Sequence, residues 1–476
     1  MDQLPYIAGK FRKTNNFVSL KAPWDDSEVA KVWQCDKADV EEAIAAAAAT
    51  AKTCRKLSTY DRAEVCRNVA RGLQAIHEEL SQIVCVESGK PIADARGEVD
   101  RAIFTFETAA SEVERLGGEM MPLDLKPYSL GRFGITKRFP VGPVSAISPF
   151  NFPINLAVHK VAPALAVGCP VVLKPAPQTP GACSKLAEII DKTAWPKGAF
   201  SVVPCDPDVA DALVTDDRMK LLSFTGSPAV GWELKKRAGK KKVVLELGSN
   251  AAVILDESAD LDFAIPRLVY GSYSYSGQKC ISVQRIYAHE KIYDTFVKKF
   301  IEASRKAKVG DPRDPEVLVG PLVNKAAADR VETWLKEATD RGAEILLGGP
   351  RKGNVIPPTI LAKVPADARI SCQEVFAPVV AVEPFSDFSD ALRRVDNSSF
   401  GLQAGVFTES IDRALEAFDE LEMGAIILND MPAYRLDPMP YGGVKDSGFG
   451  REGLRSSMEE MTELRMLVVN RLHHST

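Results

Sequence analysis

Val171-Val172-Leu173-Lys174-Pro175-Ala176-Pro177-Gln178-Thr179-Pro180 is an apolar run that ends on a lysine and turns through three prolines. Branched and aliphatic side chains bounded by proline read as a strand whose two faces are both buried. Similar runs lie on either side: PVGPVSAI (140–147), AFSVVP (199–204), KLLSFTG (220–226), KKVVLEL (241–247) and AAVILD (251–256). Helical stretches separate them. Continuous apolar strands alternating with helices predict an α/β fold with a largely parallel, doubly wound sheet covered on both faces.

Downstream, the alternation restarts with a helix over 260–275, a strand over 284–289 and a helix over 290–308. A second α/β unit ending near Asn429 is expected. Upstream, the first hundred residues read as helical. Ala38–Lys56 is alanine-rich, Tyr60–Ser88 stops at the breaker Gly89-Lys90-Pro91, and a further helix covers Asp94–Leu116. Residues 117–139 are punctuated by glycine and proline around short strands. RMLVVN (465–470) is an orphan strand that could pair with 117–139 or with another subunit.

A chain of 476 residues fits two or three domains, and 45% hydrophobic with 26% charged residues is an ordinary globular balance. The net charge of −4 gives no electrostatic footprint for nucleic acid or a membrane surface. The nine cysteines include no Cys-x-x-Cys pair, and with five histidines and no His-Glu-x-x-His no metal site is expected. The first residues lack the apolar core of a signal peptide, and no apolar run could span a bilayer. A reduced, cytoplasmic protein is expected.

Several segments could carry chemistry. Gly448–Gly453 fits Gly-x-Gly-x-x-Gly, but too little chain follows it to build a dinucleotide unit, so it reads as a turn. Gly226 and Ser227 lie between the strand KLLSF and a helical stretch, where free N–H groups face an anion, or where an ordinary βα turn would also use them. Lys174 ends its strand at the carboxyl edge of the sheet, solvated or in contact with a ligand. Cys280, in Ser-Gly-Gln-Lys-Cys-Ile-Ser, follows a polar loop, whereas Cys66, Cys85 and Cys169 sit in helical or apolar contexts. Glu246 follows three apolar strand residues. Burial would raise its pKa toward that of a general base; the alternative is a strand-end glutamate facing water. Asn151, in Ser148-Pro149-Phe150-Asn151-Phe152-Pro153, could donate to an oxyanion or cap the turn.

PFNFP, LKPAPQTP, SFTGS, LELGSN, SGQKCIS, QEVFAPV and MPYGGVKDSGFGREG occur in that order, and together the chain resembles the NAD(P)-dependent aldehyde dehydrogenase superfamily along essentially its whole length. The resemblance implies a variant Rossmann cofactor-binding domain (1–116 and 140–246), a catalytic domain (247–430) and a small β oligomerisation arm (117–139 and 455–476). It implies that Cys280 is the nucleophile, that Asn151 and the Cys280 N–H form the oxyanion hole, and that Glu246 activates water to hydrolyse a thioester. It further implies that Lys174 and Glu374 hold the cofactor riboses, with Phe376 beside the nicotinamide. Ser227 matches a pyrophosphate contact, and Ser148, Phe150, Pro177 and Gly226 complete the cofactor set. The expected reaction is oxidation of a small aldehyde to its carboxylate by a homodimer or homotetramer.

Two segments depart from the family pattern. The usual Glu-Leu-Gly-Gly-Lys reads Glu-Leu-Gly-Ser-Asn at 246–250. Pro177 stands where members preferring NAD often carry a glutamate, which tilts the expectation toward NADP. Arg101, Lys279 and Arg435 could read an anionic aldehyde (a semialdehyde, a lactaldehyde-like or a phosphorylated one), or could face solvent or form structural ion pairs. A CoA-acylating semialdehyde dehydrogenase, which typically lacks the base, and a catalytically idle binding protein are the alternatives.

Overall fold

The structure, a computed structural model, describes residues 2–471. The apolar runs form an 8-stranded sheet in the order Gly448–Phe449, Lys242–Glu246, Leu221–Thr225, Val144–Ile147, Val171–Lys174, Phe200–Val202, Tyr6–Ile7, Lys10–Phe11. From Lys242–Glu246 to Phe200–Val202 every neighbouring pair is parallel. The chain runs from Val144–Ile147 to Val171–Lys174 on one side, then returns to Leu221–Thr225 on the other. A crevice therefore opens at the carboxyl ends of Val144–Ile147 and Leu221–Thr225, the point where open α/β sheets take ligands.

A 7-stranded sheet follows, ordered Glu344–Leu347, Thr359–Ala362, Val379–Phe385, Arg285–His289, Ala252–Leu255, Gln403–Phe407, Ala425–Leu428. Only its Glu344–Leu347 edge is antiparallel. A third, 3-stranded sheet places Arg132–Pro140 between Met120–Pro122 and Thr462–Asn470. The orphan strand thus pairs antiparallel with the 117–139 region, in register from Thr462↔Pro140 to Asn470↔Arg132. The terminal residues 472–476 of the expected arm, with His473 and His474, lie outside the described residues.

The helical reading of the N-terminus needs two corrections. Residues before Asp36 form strands, with Glu28–Gln34 between Asp2–Gln3 and Asn16–Lys21. These strands are short and mostly exposed, so they carry little of the apolar patterning that marks a strand. The long helix expected over 60–88 is two, Thr59–Ala75 and His77–Ser88, broken at Ile76 (φ −115°, ψ 23°). Neither glycine nor proline marks that break. The alanine-rich helix Lys37–Lys56 starts on a capping box in which Asp36 accepts from Ala38 and Asp39 N–H, while Asp39 accepts from Asp36 N–H. No helix among the described residues is long and apolar enough to cross a membrane.

Candidate active site

A cleft of about 550 Å³ occupies the crevice at the carboxyl edge of the first sheet. Ser148, Phe150, Asn151, Lys174, Pro177, Gly226, Ser227, Cys280, Glu374 and Phe376 all line it. A second cavity of about 640 Å³ shares Ile147, Lys174, Phe224 and Val230 with the first and continues it along the helix Pro228–Arg237. Glu246, Arg101, Lys279 and Arg435 are not among the residues lining either cavity.

Cys280 is delivered by a strained segment. Tyr275 and Ser276 adopt left-handed backbone (φ 52° and 55°), followed by Gly277 at φ 68°. Two non-glycine residues in this region cost on the order of 1–3 kcal/mol each and persist only where their surroundings fix them. Here the Ser276 hydroxyl donates to Gly320 O (2.8 Å), Gln278 Nε2 donates to Pro321 O (3.3 Å), and Val323 N–H donates to Gln278 Oε1 (2.9 Å). A Cβ on Gly277 would stand 2.3 Å from Ala377 O, so only glycine fits there. Asn151 Nδ2 donates to Gln278 O (3.0 Å), fastening the PFNFP loop to the same segment and leaving its second N–H free.

The Cys280 thiol is half-buried, and burial pushes its pKa up to about 11. Its Sγ lies 3.1 Å from the Tyr441 hydroxyl, and Glu374, Arg435 and Glu246 act on it electrostatically. Glu246 closes the strand Lys242–Glu246 at 3% exposure, with both carboxylate oxygens buried and without a hydrogen-bond partner among the described residues. Burial, reinforced by Glu452, raises its pKa well above the carboxylate range. The reading of a glutamate facing water does not describe this side chain.

Behind it lies a charged network. Lys160 donates to Glu452 (2.9 Å) and to the Thr225 hydroxyl (2.7 Å). Arg435 reaches Glu452 (3.2 Å) and the ring of His159 (3.3 Å), and its guanidinium carbon lies 3.6 Å from the Tyr441 ring centroid. His159 meets Asp437 at 2.7 Å, and Arg101 binds both oxygens of Asp437 (2.7 and 3.2 Å). Lys279 is buried and donates to the Ser274 hydroxyl and to Tyr270 O rather than turning to solvent; burial brings its pKa down to about 8.

Sequence reasoning missed Lys160, His159, Asp437, Tyr441 and Glu452. Glu452 sits inside the Gly448–Gly453 run that was read as a turn. Gly448–Phe449 pairs antiparallel with the strand of Glu246, so this turn carries Glu452 toward the Glu246 carboxylate.

On the cofactor side, Lys174 is buried, makes no ion pair among the described residues, and finds only Pro175 O at 3.4 Å. Ser227 occupies the N-cap of Pro228–Arg237, but the helix has no side-chain cap, so its first N–H groups point outward. Glu374 accepts from Ser249 N–H (2.9 Å), and burial pushes its pKa up to about 7. A Cβ on Gly248 would stand 2.6 Å from this carboxylate. Phe150 and Phe376 meet edge to face at 5.9 Å. A buried lysine without an acid, an open helix N-terminus and an aromatic pair on one elongated trough fit a dinucleotide.

The sequence profile of the aldehyde dehydrogenase family matches residues 11–467. The chain belongs to the aldehyde dehydrogenase family. Among curated aldehyde dehydrogenases it is 42% identical over 466 residues to the 3-sulfolactaldehyde dehydrogenase of Priestia aryabhattai, covering 98% of this chain and 97% of that one. Aldehyde dehydrogenase 21 from Physcomitrella patens, solved in complex with the reaction product succinate, superposes with a TM-score of 0.98 at 44% identity, covering 100% of this chain and 99% of that one. A glyceraldehyde-3-phosphate dehydrogenase from Methanocaldococcus jannaschii, complexed with NADP, gives a TM-score of 0.93 at 36% identity over 96% and 100% of the two chains. The chain is thus an aldehyde dehydrogenase that oxidises small aldehydes with NAD(P).

Proposed function

We propose that this aldehyde dehydrogenase oxidises a small anionic aldehyde to its acid with NADP+, by way of a Cys280 thioester that Glu246 hydrolyses. The observation that carries this reading is Glu246: a buried carboxylate with two unpartnered oxygens, within electrostatic reach of the thiol. Such a group costs several kcal/mol to bury uncompensated, on the order of 2–7 for a polar group, unless a reacting water or substrate completes it. Cys280 Sγ attacks the carbonyl carbon, and the free Asn151 N–H with the Cys280 N–H receives the oxyanion. The bound dinucleotide supplies the hydride acceptor. Glu246 then takes a proton from the water that attacks the thioester, and the acyl group leaves Sγ as the carboxylic acid.

The cofactor is proposed to lie along the trough as the family resemblance implies, with Lys174 and Glu374 at the riboses, Ser227, Gly226 and the open helix N-terminus at the pyrophosphate, and Ser148, Phe150 and Phe376 toward the nicotinamide; that these residues line one cleft supports the reading. Pro177 leaves Lys174 without a carboxylate rival, which favours NADP+. For the substrate anion Arg435 is proposed, because its buried Nε has no partner among the described residues even though Glu452 holds its Nη2. Lys279 adds a buried cation next to the nucleophile, whereas Arg101 is held by Asp437. Relatives named for a sulfonated or phosphorylated aldehyde, and one holding succinate, support this class. The first sheet with its helices is proposed as the cofactor domain and the second as the catalytic domain. The exposed arm strand Thr462–Asn470 is proposed to meet another copy. All nine cysteines are free, which suits the cytoplasm.

The test is reduced-cofactor formation across neutral, carboxylated, sulfonated and phosphorylated aldehydes, with each cofactor and without CoA. Preference for anionic aldehydes with NADP+ is expected. Turnover only after CoA is added would move the chain to the acylating branch and overturn the role given to Glu246.

A further inference from the structure

Cys280 Sγ has a single hydrogen-bond partner among the described residues, the Tyr441 hydroxyl at 3.1 Å. Two of the ionisable groups acting on the thiol, Glu374 and Glu246, are carboxylates that disfavour its ionised form, as burial does. Arg435 favours that form, and Lys279, although next in the chain, turns its ammonium to Ser274 and Tyr270. The nucleophile is the thiolate, so something must offset these penalties.

We propose that the Tyr441 hydroxyl is a catalytic residue: it donates the hydrogen bond that favours the thiolate form of Cys280 during attack, and Arg435 over its ring face sharpens that donor. A thiol can donate or accept, but a thiolate can only accept, so in the reactive form the phenol supplies the proton. Burial keeps the phenol protonated, and Cys280 and Glu246 add to that effect and outweigh Arg435, which favours the ionised form. A guanidinium 3.6 Å from the ring centroid draws electron density from the oxygen and makes the O–H a stronger donor. The geometry is locked. Tyr441 N–H donates to Glu452 O (3.0 Å), Glu452 N–H donates back to Tyr441 O (2.6 Å), and Glu452 with His159 holds Arg435 over the ring. A phenylalanine would fill the same space and supply no donor, so the hydroxyl itself is the active part.

The inference rests on Cys280 being the nucleophile. The experiment is iodoacetamide alkylation of the full-length enzyme across pH, read by peptide mass spectrometry so that Cys280 is distinguished from half-exposed Cys372. A hydrogen bond to an ionised group is worth roughly one to two pKa units. Tyr441→Phe is therefore expected to move the Cys280 midpoint up by about one unit and to slow alkylation at neutral pH roughly tenfold. The cofactor KM should stay in place. A packing role alone would lower the melting temperature and leave the midpoint where it was, and that result overturns the proposal. Protein made with fluorotyrosine, a more acidic phenol in the unchanged sequence, provides a second arm. Its midpoint should move down, and an upward or absent shift overturns the proposal even if Tyr441→Phe does not fold. Cys280→Ala separates the two readings: an active variant removes the nucleophile assignment, whereas an inactive one with an unshifted Tyr441→Phe profile removes only Tyr441.

Discussion

Pro177 lies exposed on the cleft, in the turn after Lys174, whose ammonium has no acid within ion-pair distance among the described residues. Pro177→Glu would give that lysine a carboxylate and place a negative charge where a 2′-phosphate would sit. The KM for NADP+ should rise roughly tenfold, equivalent to about 1.4 kcal/mol, while that for NAD+ falls; equal changes with both cofactors would refute the assignment. Glu246 sets a second expectation. Burial and Glu452 raise its pKa well above the ordinary carboxylate value, so the base form, and with it deacylation, should increase as pH rises through that raised pKa. In Glu246→Gln a burst of reduced cofactor should survive with slow, pH-flat turnover, as stopped-flow measurement would show; equal loss of burst and steady rate would make Glu246 the activator of Cys280 instead. Single residues were readable where chemistry demanded an unusual setting, such as a carboxylate after Val243-Val244-Leu245 or a cysteine after a polar loop. Lys160 and His159 gave no such signal, because a helix buried at every position, Asn155–Val167, hides a lysine and a histidine among apolar neighbours.

At the scale of elements, the turn Ser274–Gly277 is where strain meets function. Gly277→Ala combines a left-handed φ with a clash against Ala377 O, whereas Gly239→Ala has a similar φ (64°) and nothing within 4 Å of its Cβ. The second substitution should cost about 1 kcal/mol and spare activity. The first should cost on the order of 1–3 kcal/mol more and reduce turnover by displacing Cys280, as thermal melts and rates measured together would reveal. Similar melting temperatures for the two variants would show that the turn yields easily. Strands buried on both faces announce themselves by composition, so the runs at 144–147, 171–174, 221–225 and 242–246 were legible. Asn16–Lys21 was not, since exposed residues dominate it and a ladder with Glu28–Gln34 defines it instead. The break at Ile76 was equally silent, because no glycine or proline stands there to mark it.

Across the whole molecule, the arm presents Leu464, Met466, Leu467 and Val468 at 50–62% exposure on an edge strand paired along one side only among the described residues. Such an edge invites another strand. Met466→Lys with Val468→Lys should convert the proposed oligomer to monomer in light-scattering chromatography, and an unchanged mass would place the contact elsewhere. The pairing of this arm was visible in the sequence only as a choice between partners, because register across more than 300 residues leaves no local trace. The first sheet's far edge carries another consequence. The strand of Glu246 is closed by Gly448–Phe449, and Tyr441, Arg435 and Glu452 come from the same late stretch of chain. During synthesis Cys280 and Glu246 emerge long before these late residues that surround them. A nascent chain therefore lacks Arg435, Tyr441, Glu452 and the edge strand Gly448–Phe449 until close to the end of translation, and a chain that stops before Arg435 loses all four at once.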